Sequence, residues 1–230
     1  MSIIETFNRD HLKYLFPQRT RLKTEYSLSE ESDDDFILSQ INKMVINDFN
    51  IFKDYLPKDS KSLLDIGCGV GLIDVAIYKH YNSINLNLLD KSESLTEGKK
   101  INGFNKDYCF YNSLSVTKDI LTSNGVNIND LNLYEVDKCN EIYEKKYDII
   151  MSLLSCGWHY SIREYIFLMY RTLSYNGIIV VDIRHNTGQL DLMLRFFDIV
   201  EHIVNTNELK HDGGTVGDRY IFKTKKSRYS

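Results

Sequence analysis

Three groups of side chains in this 230-residue sequence have the types and spacing for chemistry. The first is a pair of carboxylates, Asp65 and Asp90, on either side of glycines at alternate positions, Gly67, Gly69 and Gly71, with Cys68 between the first two. Glycine accepts positive φ and lets the backbone approach a ligand that a Cβ would repel. A helix starting behind such a turn presents unpaired N–H groups, so a nucleotide-like cofactor is its natural ligand. The second group is Ser155-Cys156-Gly157-Trp158-His159-Tyr160, which sets the only tryptophan beside a histidine. Imidazole titrates closest to neutrality, so His159 is the candidate general base. The third is Asp182, Arg184 and His185, where Asp182 and Arg184 are candidate catalytic or substrate-anchoring groups and His185 is a second candidate base.

Strand ends must carry these groups. Residues 62–66 are a short apolar run, and Leu72, Val75, Ala76 and Lys79 then share one face of a helix ending near Tyr81. Residues 84–90 alternate apolar and polar and finish on Asp90, 19 positions after Gly71. An acid about 20 residues beyond a glycine turn is the one that meets ribose hydroxyls in nucleotide-binding α/β sheets. Residues 92–109 read as a polar loop, and residues 110–124 as a helix stopped by Asn124-Gly125. A third strand ends at Asp137, and a fourth, residues 146–154, ends at the Ser155–Tyr160 group. Ser161 and Glu164 have capping-box spacing for a helix stopped by Asn176-Gly177. A fifth strand, residues 178–183, a helix over 187–196 and two final strands, 198–204 and 219–224, complete the order. Ahead of the glycine turn, the acidic run from Glu30 to Asp35 leads into Ile37, Ile41, Met44, Val45, Phe49 and Phe52, which predicts one amphipathic helix over 34–55. Strands alternating with helices from residue 62 imply a doubly wound α/β sheet, mostly parallel, with helices on both faces and ligands above the strand C-termini.

The motif Asp65-x-Gly67-x-Gly69-x-Gly71 departs from the dinucleotide fingerprint, because its third glycine comes one residue early, and Asp65 suits an ammonium group, which NAD lacks. With Asp90 it resembles motif I of the class I S-adenosylmethionine-dependent methyltransferases. That resemblance spans about residues 62–224. It implies a seven-stranded sheet whose last two strands form an antiparallel hairpin, bound S-adenosylmethionine, and transfer of its methyl group to an O, N, S or C nucleophile. It assigns the glycines to the cofactor's amino-acid end, Asp65 to its ammonium, Asp90 to the ribose and Asp137 to the adenine amino group. Cys68, Lys91 and Ser152 complete the expected cofactor set. Residues 1–60 would be an N-terminal helical extension or lid, and 61–230 the catalytic domain.

Composition narrows the acceptor. Four scattered cysteines without a C-x-x-C pair argue against zinc and a disulfide framework, and no metal is expected. A net charge of −4 argues against broad binding to a nucleic-acid backbone, with the basic residues Lys223, Lys225, Lys226 and Arg228 as the local exception. Base-methylating enzymes commonly carry an Asn/Asp-Pro-Pro-aromatic motif after the fourth strand, where this chain has Ser152-Leu153-Leu154-Ser155. A small-molecule or sugar-like acceptor methylated on O or N is the first expectation, and RNA or protein the second. A nicotinamide-dependent oxidoreductase and a non-catalytic cofactor-binding subunit are the readings from other classes. No apolar run reaches the roughly 18 residues of a membrane span, and no targeting segment is evident at the N-terminus, so a cytoplasmic protein is expected.

Overall fold

The computed structural model describes residues 2–18, 21–92, 112–204 and 217–225. Seven strands form one sheet: β1 (Ser62–Ile66), β2 (Asn85–Asp90), β3 (Leu131–Glu135), β4 (Tyr147–Ser152), β5 (Leu173–Arg184), β6 (Phe197–Ile203) and β7 (Gly217–Thr224). Their spatial order is β3-β2-β1-β4-β5-β7-β6. The first five run parallel, while β7 is antiparallel to both β5 and β6. β1 lies between β2 and β4, so the order reverses beside it and opens a crevice above its C-terminal end.

The helices are α1 (Leu12–Gln18), α2 (Arg21–Thr24), α3 (Asp34–Asn50), α4 (Leu72–Tyr81), α5 (Leu114–Ser123), α6 (Ile166–Thr172) and α7 (Gln189–Met193). Alternation along each strand divides the core into two layers. On one face Leu63, Leu86, Ile149, Val180 and Ile221 meet apolar residues of α3, α4 and α5. On the other, Leu64, Leu89, Ile150, Val181 and Phe222 meet Ile166, Met169 and Met193. None of the described helices is long and apolar enough to cross a membrane.

The N-terminal segment shares the first of these layers. Asn42 accepts from the backbone N–H groups of Ile3 and Ile4, both at 2.8 Å, and Asn124 at the end of α5 accepts from those of Glu5 and Thr6. Asp33 caps α3 by accepting from the Phe36 N–H at 2.7 Å.

Several boundaries differ from those predicted. α3 stops at Asn50, because Phe52 is buried from a separate turn against Phe49 and the Arg219 guanidinium. The Ser161 cap serves the Arg163 N–H and opens only a 3₁₀ turn, while Gln189 takes the Ile162 N–H at 2.7 Å, so α6 starts at Ile166. Asn176-Gly177 stops no helix. It lies within β5, at the irregularity where pairing moves from Tyr147↔Leu173 to Ile149↔Ile178. The loop expected over 92–109, and Phe110 with it, lies almost wholly outside the described residues.

Candidate functional site

The turn after β1 is fixed by β2. Leu89 O accepts from the Gly67 N–H at 2.7 Å and the Cys68 N–H at 3.3 Å, and Gly71 then forms the N-cap of α4. Gly67, Gly69 and Gly71 have φ of +77°, +55° and +76°, the left-handed region that side chains disfavour. At two of them the protein itself supplies the close approach. A Cβ on Gly67 would lie 1.8 Å from Ser155 Oγ, and one on Gly71 would lie 3.1 Å from Thr117 of α5.

Asp90 is buried at the tip of β2 and braces this turn. Its Oδ2 accepts from the Gly69 N–H at 2.7 Å and from Asn112 Nδ2 at 3.0 Å, and its Oδ1 accepts from the Lys91 N–H at 2.7 Å. Asn112 and Thr117 also donate to Gly69 O, at 2.7 and 2.8 Å, so both backbone polar groups of that residue are held. Burial pushes the Asp90 carboxyl up to about 6 against these donors.

Asp65 is the fourth residue of β1, in register with Leu88 of β2 and Met151 of β4. It lines a cavity of about 20 Å³ with Gly67, Cys68, Val70, Leu72 and Leu153. Asp74, in the first turn of α4, is equally buried and faces it; burial pushes the Asp74 carboxyl up to about 7. A carboxyl whose pKa rises on folding stabilises the protein while protonated, and that contribution is lost as pH rises through the folded-state value. Asp74→Asn, which mimics the protonated form, should therefore gain on the wild type as pH rises, its advantage in unfolding free energy growing by roughly 2–3 kcal/mol between pH 5 and pH 8. Denaturant titrations of the ligand-free protein at both pH values check this, and a difference independent of pH would refute it.

The segment after β4 closes over the turn. Ser152 Oγ donates to Ile66 O at 2.7 Å and accepts from the Cys156 N–H at 2.9 Å, joining the ends of β1 and β4. Leu154 has φ +53°, and its N–H donates to Asp182 Oδ2 at 3.1 Å. Ser155 Oγ and the Tyr160 hydroxyl are 3.1 Å apart, directly above Gly67. Burial raises the Tyr160 phenol well above its usual range, and the Asp90 charge adds to the rise. His159 is half-buried, with its N–H on Ser155 O at 2.8 Å. Trp158 is buried against Gly217 of β7, where a Cβ would lie 2.1 Å from its ring. The Cys156 thiol is fully buried and its pKa is raised by that burial.

The remaining sequence candidates stand further out. Asp182 is fully buried in a two-point ion pair with Arg219, Nε to Oδ1 at 2.7 Å and Nη2 to Oδ2 at 3.0 Å. Arg184 ends β5, its N–H donating to Gly157 O at 3.1 Å. His185 and His202 each place Nε2 2.8 Å from Asp218 Oδ2. Asp137 lies in a 3₁₀ turn after β3, and its side chain is outside the described residues.

The structure thus brings Asp65, Gly67, Cys68, Gly69, Gly71, Asp90 and Lys91 together with Ser155 and Tyr160, and gives Ser152 and Asp182 contacts that shape the segment above them. Sequence reasoning missed Asp74 and Asn112 as site residues, and placed Ser155 and Tyr160 in the group around His159 without giving them a role of their own. Asp74 alone left a signal, an acid inside the apolar run Leu72, Ile73, Val75 and Ala76.

Neither a family model nor a curated protein sequence matches this chain. Solved structures do match in fold. An S-adenosylmethionine-dependent methyltransferase from Clostridium acetobutylicum has a TM-score of 0.55 at 13% identity, over 94% of this chain and 98% of that one. The structure described as StiE O-MT residues 961–1257 has a TM-score of 0.57 at 12% identity, over 91% and 82%. The Bacillus subtilis M1A22 tRNA methyltransferase TrmK has a TM-score of 0.54 at 9% identity, over 77% and 65%. The chain has the class I methyltransferase fold, a mostly parallel seven-stranded sheet with helices on both faces.

Proposed function

We propose that the protein is an S-adenosylmethionine-dependent methyltransferase acting on an O or N atom of a small-molecule or sugar-like acceptor. The observation that carries the reading is the left-handed glycine turn held between Asp65 and Asp90 at the point where strand order reverses. The residues fit the cofactor. Asp65 places a carboxyl on a cavity of about 20 Å³ beside the glycine turn, and Asp90 keeps acceptor capacity for ribose hydroxyls beyond the donors it already holds. When bound, S-adenosylmethionine supplies an electrophilic methyl group on a sulfonium. The protein's part is to align the acceptor, exclude water and hold the acceptor's proton. Ser155 and Tyr160 roof the turn, and His159 beside them is assigned as the base.

A compact acceptor agrees with the place of one cluster of positive charge among the described residues. Lys146, Arg171, Lys223 and Lys225 line a groove with Tyr170 and Tyr175 at the N-terminal ends of β4 and β5, the opposite edge of the sheet from the glycine turn. A polyanion held there is not directed onto the site.

Thermal denaturation with S-adenosylmethionine and with NAD, measured separately, tests the cofactor. Stabilisation by about 2.7 kcal/mol at one hundred times the dissociation constant is expected for the former alone. Screening metabolites and RNA with methyl-labelled cofactor then identifies the acceptor. Once it is known, His159→Gln should lower kcat roughly 10²-fold or more with cofactor affinity near wild type. Turnover within a few-fold of wild type with weaker acceptor binding would make His159 a pocket residue.

A further inference from the structure

We propose that the groove at the far edge of the sheet, formed by Lys146, Arg171, Lys223 and Lys225 with Tyr170 and Tyr175, binds single-stranded nucleic acid as a partner distinct from the methyl acceptor. This surface stands apart from the glycine turn, and its ligand is independent of the cofactor.

An irregularity in β5 builds the aromatic part. Leu173 pairs with Tyr147 and Ile178 with Ile149, so Ser174, Tyr175, Asn176 and Gly177 stand against the single residue Asp148 of β4. A bulge re-aims side chains out of the regular pleat. Tyr175 is accordingly 92% exposed, more than any other large apolar or aromatic side chain among the described residues. The bulge is nonetheless firmly seated. A Cβ on Gly177 would lie 2.9 Å from Leu173 Cδ1 and 3.0 Å from Asp148 O, so the chain there is too close to its neighbours to carry a side chain. Tyr170, on α6, is 47% exposed and braced by Phe196 and Phe197, with ring centroids 5.5 and 6.2 Å away at steep angles. Two aromatic faces are thus presented from fixed backbone.

The charge around them is one-sided. The chain as a whole has a net charge of −4, yet four cations and no carboxylate line this groove among the described residues. Lys146 Nζ donates to Arg171 O at 2.5 Å, which holds it on the wall. The side chains of Arg171, Lys223 and Lys225 enter no hydrogen bond or ion pair among the described residues. Asp198 stands opposite Lys223 in the β6–β7 register but forms no ion pair with it. Asp148 is taken up on the β1 side, where it accepts from the Lys61 N–H at 2.8 Å and the Ser62 N–H at 3.2 Å. Like charges gathered in one groove repel, and a ligand carrying several phosphates relieves that repulsion.

The groove encloses about 1260 Å³, more than the roughly 300–1,000 Å³ of a small-molecule site. Cations for the backbone beside aromatic faces for the bases are the two parts of a single-strand site. A duplex keeps its bases stacked on one another and would leave Tyr175 without a partner. An anionic bilayer is flat and does not enter a groove.

Fluorescence anisotropy of a labelled oligouridylate of about ten nucleotides, titrated with the full chain over a range of salt concentrations, tests this. Affinity should fall with salt at a log–log slope of about −2.8, as expected for four neutralised phosphates on a single strand. Combining Lys223→Gln with Lys225→Gln should bring that slope to about −1.4. Tyr175→Ala should weaken binding roughly tenfold while leaving the slope as in the wild type. Circular dichroism and thermal unfolding of the variants should match the wild type, since the substituted side chains are exposed. A lysine variant with unchanged affinity and slope would put the nucleic acid elsewhere and overturn the proposal. So would a Tyr175→Ala protein that binds as tightly as the wild type, because the groove would then be a charged patch with no seat for a base. Competition by duplex RNA as strong as by the single strand would remove the single-strand assignment. Binding to phosphatidylserine vesicles without binding to the oligouridylate would make this face a membrane contact instead.

Discussion

Asp182→Asn should destabilise the folded protein by about 3–5 kcal/mol, because it leaves the Arg219 guanidinium buried without the carboxylate that meets both arms of its fork. Both partners are at most 1% exposed, and the two contacts at 2.7 and 3.0 Å use the guanidinium as a fork. An arginine stays charged even in the interior, so Arg219 cannot relieve the loss by giving up its proton. The pair also reaches beyond the sheet. Arg219 Nη1 donates to Asp48 O of α3 at 3.4 Å, and Asp182 Oδ2 accepts the N–H of Leu154, a residue at φ +53°. One carboxylate thus fastens the N-terminal layer through Arg219 and the segment above the glycine turn through Leu154. Denaturant titration of Asp182→Asn, of Arg219→Met and of a double variant with Asp182→Leu and Arg219→Met measures it. The double variant should be more stable than Arg219→Met alone, since it also removes the Asp182 carboxylate that Arg219→Met leaves buried without its fork. Wild-type stability for Asp182→Asn with turnover abolished would instead make Asp182 a catalytic residue in contact with substrate.

That pair shows where the sequence was readable and where it was not. Asp182 stands at the end of an apolar run, which marks a strand terminus and the active edge of a parallel sheet. Its partner lies 37 positions on and directly opposite in the β5–β7 register, Asp182↔Arg219. Period-two alternation predicts that β7 is a strand, and the likeness to methyltransferases predicts that it pairs with β6. That pairing says nothing about which residue of β7 faces which residue of β5. The cofactor half of the site was legible because it is local, with glycines, Asp65 and Asp90 all set by the ends of two neighbouring strands. Asn112 reaches the same turn from a distant point in the chain, and nothing in its own surroundings marks it. The short helices failed differently. Ser161 and Glu164 have capping-box spacing, but Gln189 from α7 claims the Ile162 N–H, so a tertiary contact displaced the local signal.

Gly67→Ala should cost roughly 2–5 kcal/mol, from two sources that a second substitution separates. An alanine at φ +77° pays about 1–2 kcal/mol for the left-handed conformation. The added methyl would then sit 1.8 Å from Ser155 Oγ and 2.6 Å from Ser155 Cβ, and forcing that contact open costs a further 1–3 kcal/mol or so. Ser155 cannot simply turn aside. Its carbonyl accepts from the N–H groups of Trp158 and His159, and Trp158 is wedged against Gly217, so the segment moves as a unit or not at all. Adding Ser155→Gly to Gly67→Ala removes both clashing atoms and should recover the second part of the loss while leaving the first. Ser155→Ala in the same background should recover much less, because Cβ remains. Gly71→Ala offers the control. Its φ is nearly the same at +76°, but its nearest neighbour would be Thr117 Cγ2 at 3.1 Å, so it should lose mainly the backbone part. Unfolding free energies of the four proteins decide the matter. Equal losses for Gly67→Ala and Gly71→Ala, with no recovery from Ser155→Gly, would mean that Ser155 does not press on the turn and that this crevice is open where the structure shows it roofed.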